Sequence, residues 1–186
     1  MVTSAPFGPF DPLAPCNLSG LFAKNLMADP VEIDAPPELV WTIMIDFGRY
    51  PEWNPLNRRF RLDGEARPGH SVTFEAVWGP YDLSEDATLP ERGSHQNETL
   101  TIWEENCCLA YSVVSLPFDA ERVQHISPLD GGGTRYQTFE RTDGLLSPII
   151  RAVYGRRILE GFEANGRALK VRAERLVAEA GGSDPR

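Results

Sequence analysis

Arg122, Gln124 and Ile126 stand on one side of the run Gly131-Gly132-Gly133, and Tyr136, Thr138 and Glu140 stand on the other. Glycine tolerates the backbone angles of a tight turn, so the run reads as a hairpin loop between two strands. With Leu129 to Gly133 as the loop, Pro128 faces Thr134, Ile126 faces Tyr136, Gln124 faces Thr138 and Arg122 faces Glu140, all on one side of the hairpin. A guanidinium can polarise a carbonyl or hold an enolate, and a carboxyl group beside it can move a proton. Those are the two operations of an aldol-type cyclisation or a dehydration. Arginine cannot act as a base at neutral pH, so acid-base work falls to Glu140 or to Tyr136. The alternative is an Arg122 and Glu140 salt bridge at a wet rim. Alternation does not say which side faces inward, because Tyr136 and Phe139 point opposite ways.

Other chemistries find less support. His70, His95 and His125 lack the close companions of metal-ligand spacing, so no metal site is expected. There is no G-x-S-x-G elbow and no phosphate-binding glycine loop, so neither a nucleophile nor a cofactor is implied. The formal charge of −9 opposes nucleic acid as a partner. The basic residues between Arg151 and Arg175 read as a solvated helix face. Cys16, Cys107 and Cys108 suggest no disulfide framework, and no apolar leader or 18-residue apolar run is visible. These features together predict a cytoplasmic setting without stable membrane insertion.

At 186 residues the chain suits one domain. Residues 1–28, with Pro6, Pro9, Pro12 and Pro15, read as a proline-rich arm; 29–178 form the domain, and 179–186 a disordered tail. Val31 to Ile33 reads as a strand. Prolines 36 and 37 with Glu38 then open a helix that ends near Gly48. Alternating runs at 60–62, 71–78, 83–89, 98–104, 109–114, 122–128 and 134–141 predict strands. Ser147-Pro148 caps a helix to about residue 178, with Ile150, Val153, Tyr154, Ile158, Phe162, Leu169 and Leu176 on one stripe. Many short strands and one long terminal helix predict an α+β fold, an antiparallel sheet with the helix across one face. Parity groups Phe74 with Trp78 and Leu109 with Tyr111 on shared strand faces, and Asn165 interrupts the apolar helix stripe.

Ala35-Pro36-Pro37-Glu38-Leu39-Val40-Trp41, Asp46 followed by Tyr50-Pro51-Glu52-Trp53-Asn54-Pro55, Gly132-Gly133-Thr134-Arg135, and Gly144-Leu145-Leu146 leading into Gly161-Phe162-Glu163 together resemble the START-like (SRPBCC) superfamily. Its members include polyketide cyclases and lipid-transfer domains, and the resemblance covers residues 29–176. It implies a helix-grip fold: a curved antiparallel sheet of about seven strands around a long C-terminal helix, two short helices after the first strand, and a cavity between helix and sheet. The Tyr50 to Pro55 run would then be the plug at the closed end. The resemblance also turns the Ile126 and Tyr136 face inward, bringing Arg122 and Glu140 to the cavity. Some members carry a histidine near the place of Arg122, and that departure leaves proton transfer to Glu140 or Tyr136. Phe74, Trp78, Leu109, Tyr111, Gln124, Ile126, Thr138, Phe162 and Asn165 are the expected ligand contacts. The implied partner is a hydrophobic small molecule such as a lipid, polyketide or aromatic metabolite. A cofactor-independent cyclase or dehydratase, and an interaction module of the co-chaperone-activator type, are the other functions the fold hosts.

Overall fold

The structure, a computed structural model, describes residues 24–81, 93–115 and 117–181. In chain order these form β1 (Lys24–Met27), β2 (Val31–Ile33), α1 (Pro37–Ile45), a 3-10 turn (Phe47–Arg49), α2 (Tyr50–Trp53), β3 (Asn57–Asp63), β4 (Ser71–Ala76), β5 (Ser94–Glu104), β6 (Cys108–Ser115), β7 (Phe118–Pro128), β8 (Thr134–Asp143) and α3 (Ser147–Gly181). The strands make one antiparallel sheet in the order β1-β8-β7-β6-β5-β4-β3, with β2 also pairing β8. α3 packs against β1, β2, β8 and both short helices, which is the helix-grip arrangement. Among the described residues no helix is long and apolar enough to cross a membrane.

The β7–β8 hairpin has the register expected from its glycines, including Ile126 opposite Tyr136 and Arg122 opposite Glu140. Gly131 and Gly132 take φ of 100° and 95°, which side chains on an L-residue disfavour, and so let the turn close. Two other expectations differ from what is found. Lys24–Met27, read as part of the arm, is a strand on β8, and residues 179–181, read as tail, continue α3. The strand expected at 83–89 and most of the arm lie outside the described residues.

The Tyr50 to Pro55 run folds as α2 and its exit. Pro51 sits in the first turn, where its missing N–H costs nothing. The Tyr50 hydroxyl donates to the Met44 carbonyl at 2.5 Å, locking α2 onto α1. Asn54 Oδ1 accepts from the backbone N–H groups of Leu56 and Asn57, turning the chain into β3. Tyr50 and Trp53 are buried edge to face, with ring centroids 5.2 Å apart. Trp53 is thus core filling, as its place in a plug predicts.

α3 runs 35 residues, about 52 Å at 1.5 Å per residue. Ile158, Phe162 and Leu169 of its apolar stripe are buried and Leu176 is half-buried, but Val153 and Tyr154 are exposed, so the expected continuous stripe breaks. Two glycines let the helix approach its partners. A Cβ on Gly161 would stand 2.7 Å from the Tyr81 hydroxyl, and one on Gly166 would stand 3.1 Å from Val31. Close helix packing accounts for both.

Candidate functional site

Between α3 and the inner face of β3 to β8 lies a cavity of about 340 Å³. Phe74, Val113, Ala120, Ile158 and Phe162 supply its apolar walls, and Trp78 and Tyr154, both largely exposed, stand at its mouth. Arg122 and Tyr111 form a polar inner end with Asn57, while Glu98 and Glu140 complete the wall. An apolar chamber with a few convergent polar groups is the usual makeup of a small-molecule site.

Of the residues singled out in the sequence, Phe74, Trp78, Tyr111, Arg122, Glu140 and Phe162 reach this wall. Leu109 and Ile126 do not: they are packed into the main core with Trp41, Val40 and Leu169. Gln124, Tyr136, Thr138 and Asn165 are also outside the wall, buried on the same face and hydrogen-bonded to one another or to Arg122. The parity was right, but the cavity lies over the starts of β5 and β7 and the later halves of β4, β6 and β8, beneath the first half of α3.

The Arg122 side chain, 6% exposed, spans the junction between cavity and core. Its Nε donates to Thr138 Oγ1 at 3.2 Å, Nη1 to the Tyr111 hydroxyl at 3.1 Å and Nη2 to Asn165 Oδ1 at 2.7 Å. The guanidinium lies over the Phe162 ring, 4.7 Å from its centroid. Although Glu140 is directly across the ladder, the two form no ion pair, and no carboxylate of the described residues lies within 4.0 Å of Arg122. The expected salt bridge is absent because the long arginine side chain turns toward the oxygens of β6, β8 and α3. Tyr136 is linked to it through Asn165 Oδ1, which accepts from both at 2.7 and 3.1 Å. The Tyr136 hydroxyl is thereby held behind the arginine, away from the cavity.

Sequence reasoning missed Glu98 and Asn57. Asn57 Nδ2 donates to the Tyr111 hydroxyl at 2.7 Å, fixing the phenol beside Arg122. Glu98 pairs with Val72 and Gln96 with Phe74 across β4 and β5, so both share the face already grouped around Phe74. The signal was the alternation of β5, but it needed the β4–β5 register, which the long segment between them hides.

Burial raises the Glu98 carboxyl to about 8, the negative charge of Glu140 adding to this and Arg122 opposing it. Burial likewise raises Glu140 to about 7 against the pull of Arg122. The Tyr111 phenol is pushed up to about 12, chiefly by burial. Near neutral pH the cavity therefore holds the buried Arg122 cation, a second cation, Arg157, at its mouth, and two carboxyl groups that retain much of their protonation. Among the described residues no cluster of three His, Cys, Asp or Glu side chains is placed to hold a metal ion.

These carboxyls make stability depend on pH with a definite sign. Unfolded, both lose their protons near 4.5; folded, near 7 and 8. Between those values the folded state binds more protons, so stability is greatest at the acid end of the window and falls as pH rises. The urea midpoint of the native chain should decline from about pH 5 to about pH 8, and Glu98→Gln should flatten that decline. An unchanged slope in the variant would show that Glu98 ionises normally.

Residues 27–180 match the family model described as polyketide cyclase / dehydrase and lipid transport. A search of curated proteins finds no match. Solved structures that resemble the chain include a START superfamily protein from Mycobacterium smegmatis (20% identity, TM-score 0.60, covering 83% of this chain and 98% of that one). A Streptomyces aromatase/cyclase, Zhui, is 16% identical with TM-score 0.57, covering 86% of this chain and 98% of its own. Norcoclaurine synthase from Thalictrum flavum is 14% identical with TM-score 0.57, covering 88% and 99%. At these identities the likeness shows the fold.

Proposed function

Because the chain belongs to the polyketide cyclase / dehydrase and lipid transport family, we propose that it binds a hydrophobic small molecule, a lipid, polyketide or aromatic metabolite, in the cavity between the sheet and α3. The observation that carries this reading is the cavity itself: apolar walls from Phe74, Ile158 and Phe162 leading to the buried Arg122 and Tyr111. At about 340 Å³ its volume falls within the range of small-molecule sites. An interaction module of the co-chaperone-activator type would be expected to have a filled interior and to work by its surface, so the cavity favours a ligand. The test is native mass spectrometry of protein purified from its own host, followed by identification of whatever denaturation releases. A stoichiometric apolar molecule is the expected result; an empty protein that also takes up no hydrophobic probe would overturn the reading.

A second reading, a cofactor-independent cyclase or dehydratase, rests on Glu140. Its carboxyl faces the cavity and is raised by burial to about 7, near the value at which a group both takes and gives a proton well at neutral pH. Arg122 would hold the oxygen on which negative charge develops, and Tyr136 would orient it through Asn165. With the released molecule as substrate, Glu140→Gln separates the two functions. A carrier should keep its affinity, whereas an enzyme should lose about a hundredfold or more in turnover.

A further inference from the structure

A buried cation normally has a carboxylate beside it, and Arg122 does not. Its three hydrogen-bond acceptors, Thr138, Tyr111 and Asn165, are all neutral oxygens. Each of those oxygens already has a second partner: Thr138 Oγ1 donates to the Val123 carbonyl, Tyr111 accepts from Asn57, and Asn165 accepts from Tyr136. A guanidinium has five N–H donors, so one on each Nη is not taken by these three bonds. Arg122 is part of the cavity wall, and the neutral network behind it fixes its plane while leaving its charge unmatched. Resting on the small-molecule reading above, we propose that the ligand is an amphipathic anion, its apolar body along Phe74 and Phe162 and its carboxylate or ionised enol or phenol on Arg122.

The other charged and titratable groups of the wall agree with this. Glu98 on β5 and Glu140 on β8 are the only carboxyls lining it among the described residues, Tyr111 on β6 is a neutral phenol, and α3 contributes Tyr154 and a second cation, Arg157, at the mouth. An anion seated on Arg122 repels negative charge on Glu98 and Glu140 and favours their protonated forms. Binding near pH 7.5 should therefore take up protons from solution, and affinity should fall as pH rises through the range in which the two carboxyls ionise.

Two fluorescent probes with one skeleton test this on the full chain: 8-anilinonaphthalene-1-sulfonate and its uncharged parent N-phenyl-1-naphthylamine. The sulfonate should bind at least about tenfold more tightly, as a charge-assisted contact allows. Calorimetry in two buffers of different ionisation enthalpy should show proton uptake with the sulfonate and none with the parent. Arg122→Met should bring the two affinities together while retaining the parent. Equal affinities in the native chain, or no difference in proton uptake, would overturn the anion inference and leave the cavity reading standing. If neither probe binds, the cavity reading fails and the inference falls with it. Both native-chain measurements decide the matter even where the substituted protein does not fold.

Discussion

Replacing Arg141 by methionine should destabilise the protein by about 3–5 kcal/mol. Glu121 and Arg141 face each other across the β7–β8 ladder, on the opposite side of the sheet from Arg122 and Glu140. They are 1% and 5% exposed, and the guanidinium donates to the Glu121 carboxylate. Removing the cation strands a carboxylate where water cannot reach it, and the cost is that of the uncompensated charge. A buried pair is not by itself a strong net stabiliser, because desolvating both ions offsets much of their attraction. The double substitution Glu121→Leu with Arg141→Met should therefore regain most of what the single one loses. Urea denaturation of the four proteins of the cycle measures this directly. A double variant as unstable as the single would mean that Arg141 contributes through contacts other than Glu121.

Phe60→Ala should cost a comparable amount, about 3–5 kcal/mol, and should also weaken whatever binds in the cavity. Phe60 is 3% exposed and its ring meets four others: Phe47 at 4.4 Å, Phe74 at 5.2 Å, Tyr111 at 5.3 Å and Tyr50 at 5.5 Å between centroids. Phe74 and Tyr111 line the cavity, while Phe60 stands behind them. Truncating it opens a void that lets both wall residues shift, and Tyr111 would then hold Arg122 less firmly. The measurement is paired: a denaturation midpoint, and probe affinity at a temperature where the variant is fully folded. Lower stability with unchanged affinity would show that the wall is set by the strands and not by this aromatic layer.

The parts that were readable from the sequence are those governed by local rules. The β7–β8 register followed from three glycines and strand parity, and the start of α3 followed from Ser147-Pro148. The role of Trp53 followed from the prolines around it and the family resemblance. What could not be read depends on distance in space. Asn57 and Asn165, which share the polar network around Arg122, are far from it in sequence. Lys24–Met27 is too short and too close to a proline-rich stretch to announce a strand, and only β8 makes it one. Tyr136, Gln124 and Ile126 share the face of Arg122 yet lie under packed core, because parity gives the side of a sheet and not the position of α3 above it.

The pairing of β1 and β2 with β8 also bears on how the chain reaches this state. Lys24 stands beside Thr142 and Val31 beside Tyr136, so the early strands find their partner only when nearly all of the intervening chain has been made. The meander from β3 to β8 can form from neighbours in sequence, each hairpin templating the next. Closing the sheet at β8 and laying α3 across it are long-range steps that carry most of the loop-closure entropy. On a ribosome, then, the growing chain would hold an unpaired β2 until β8 emerged, and the cavity would come into being last.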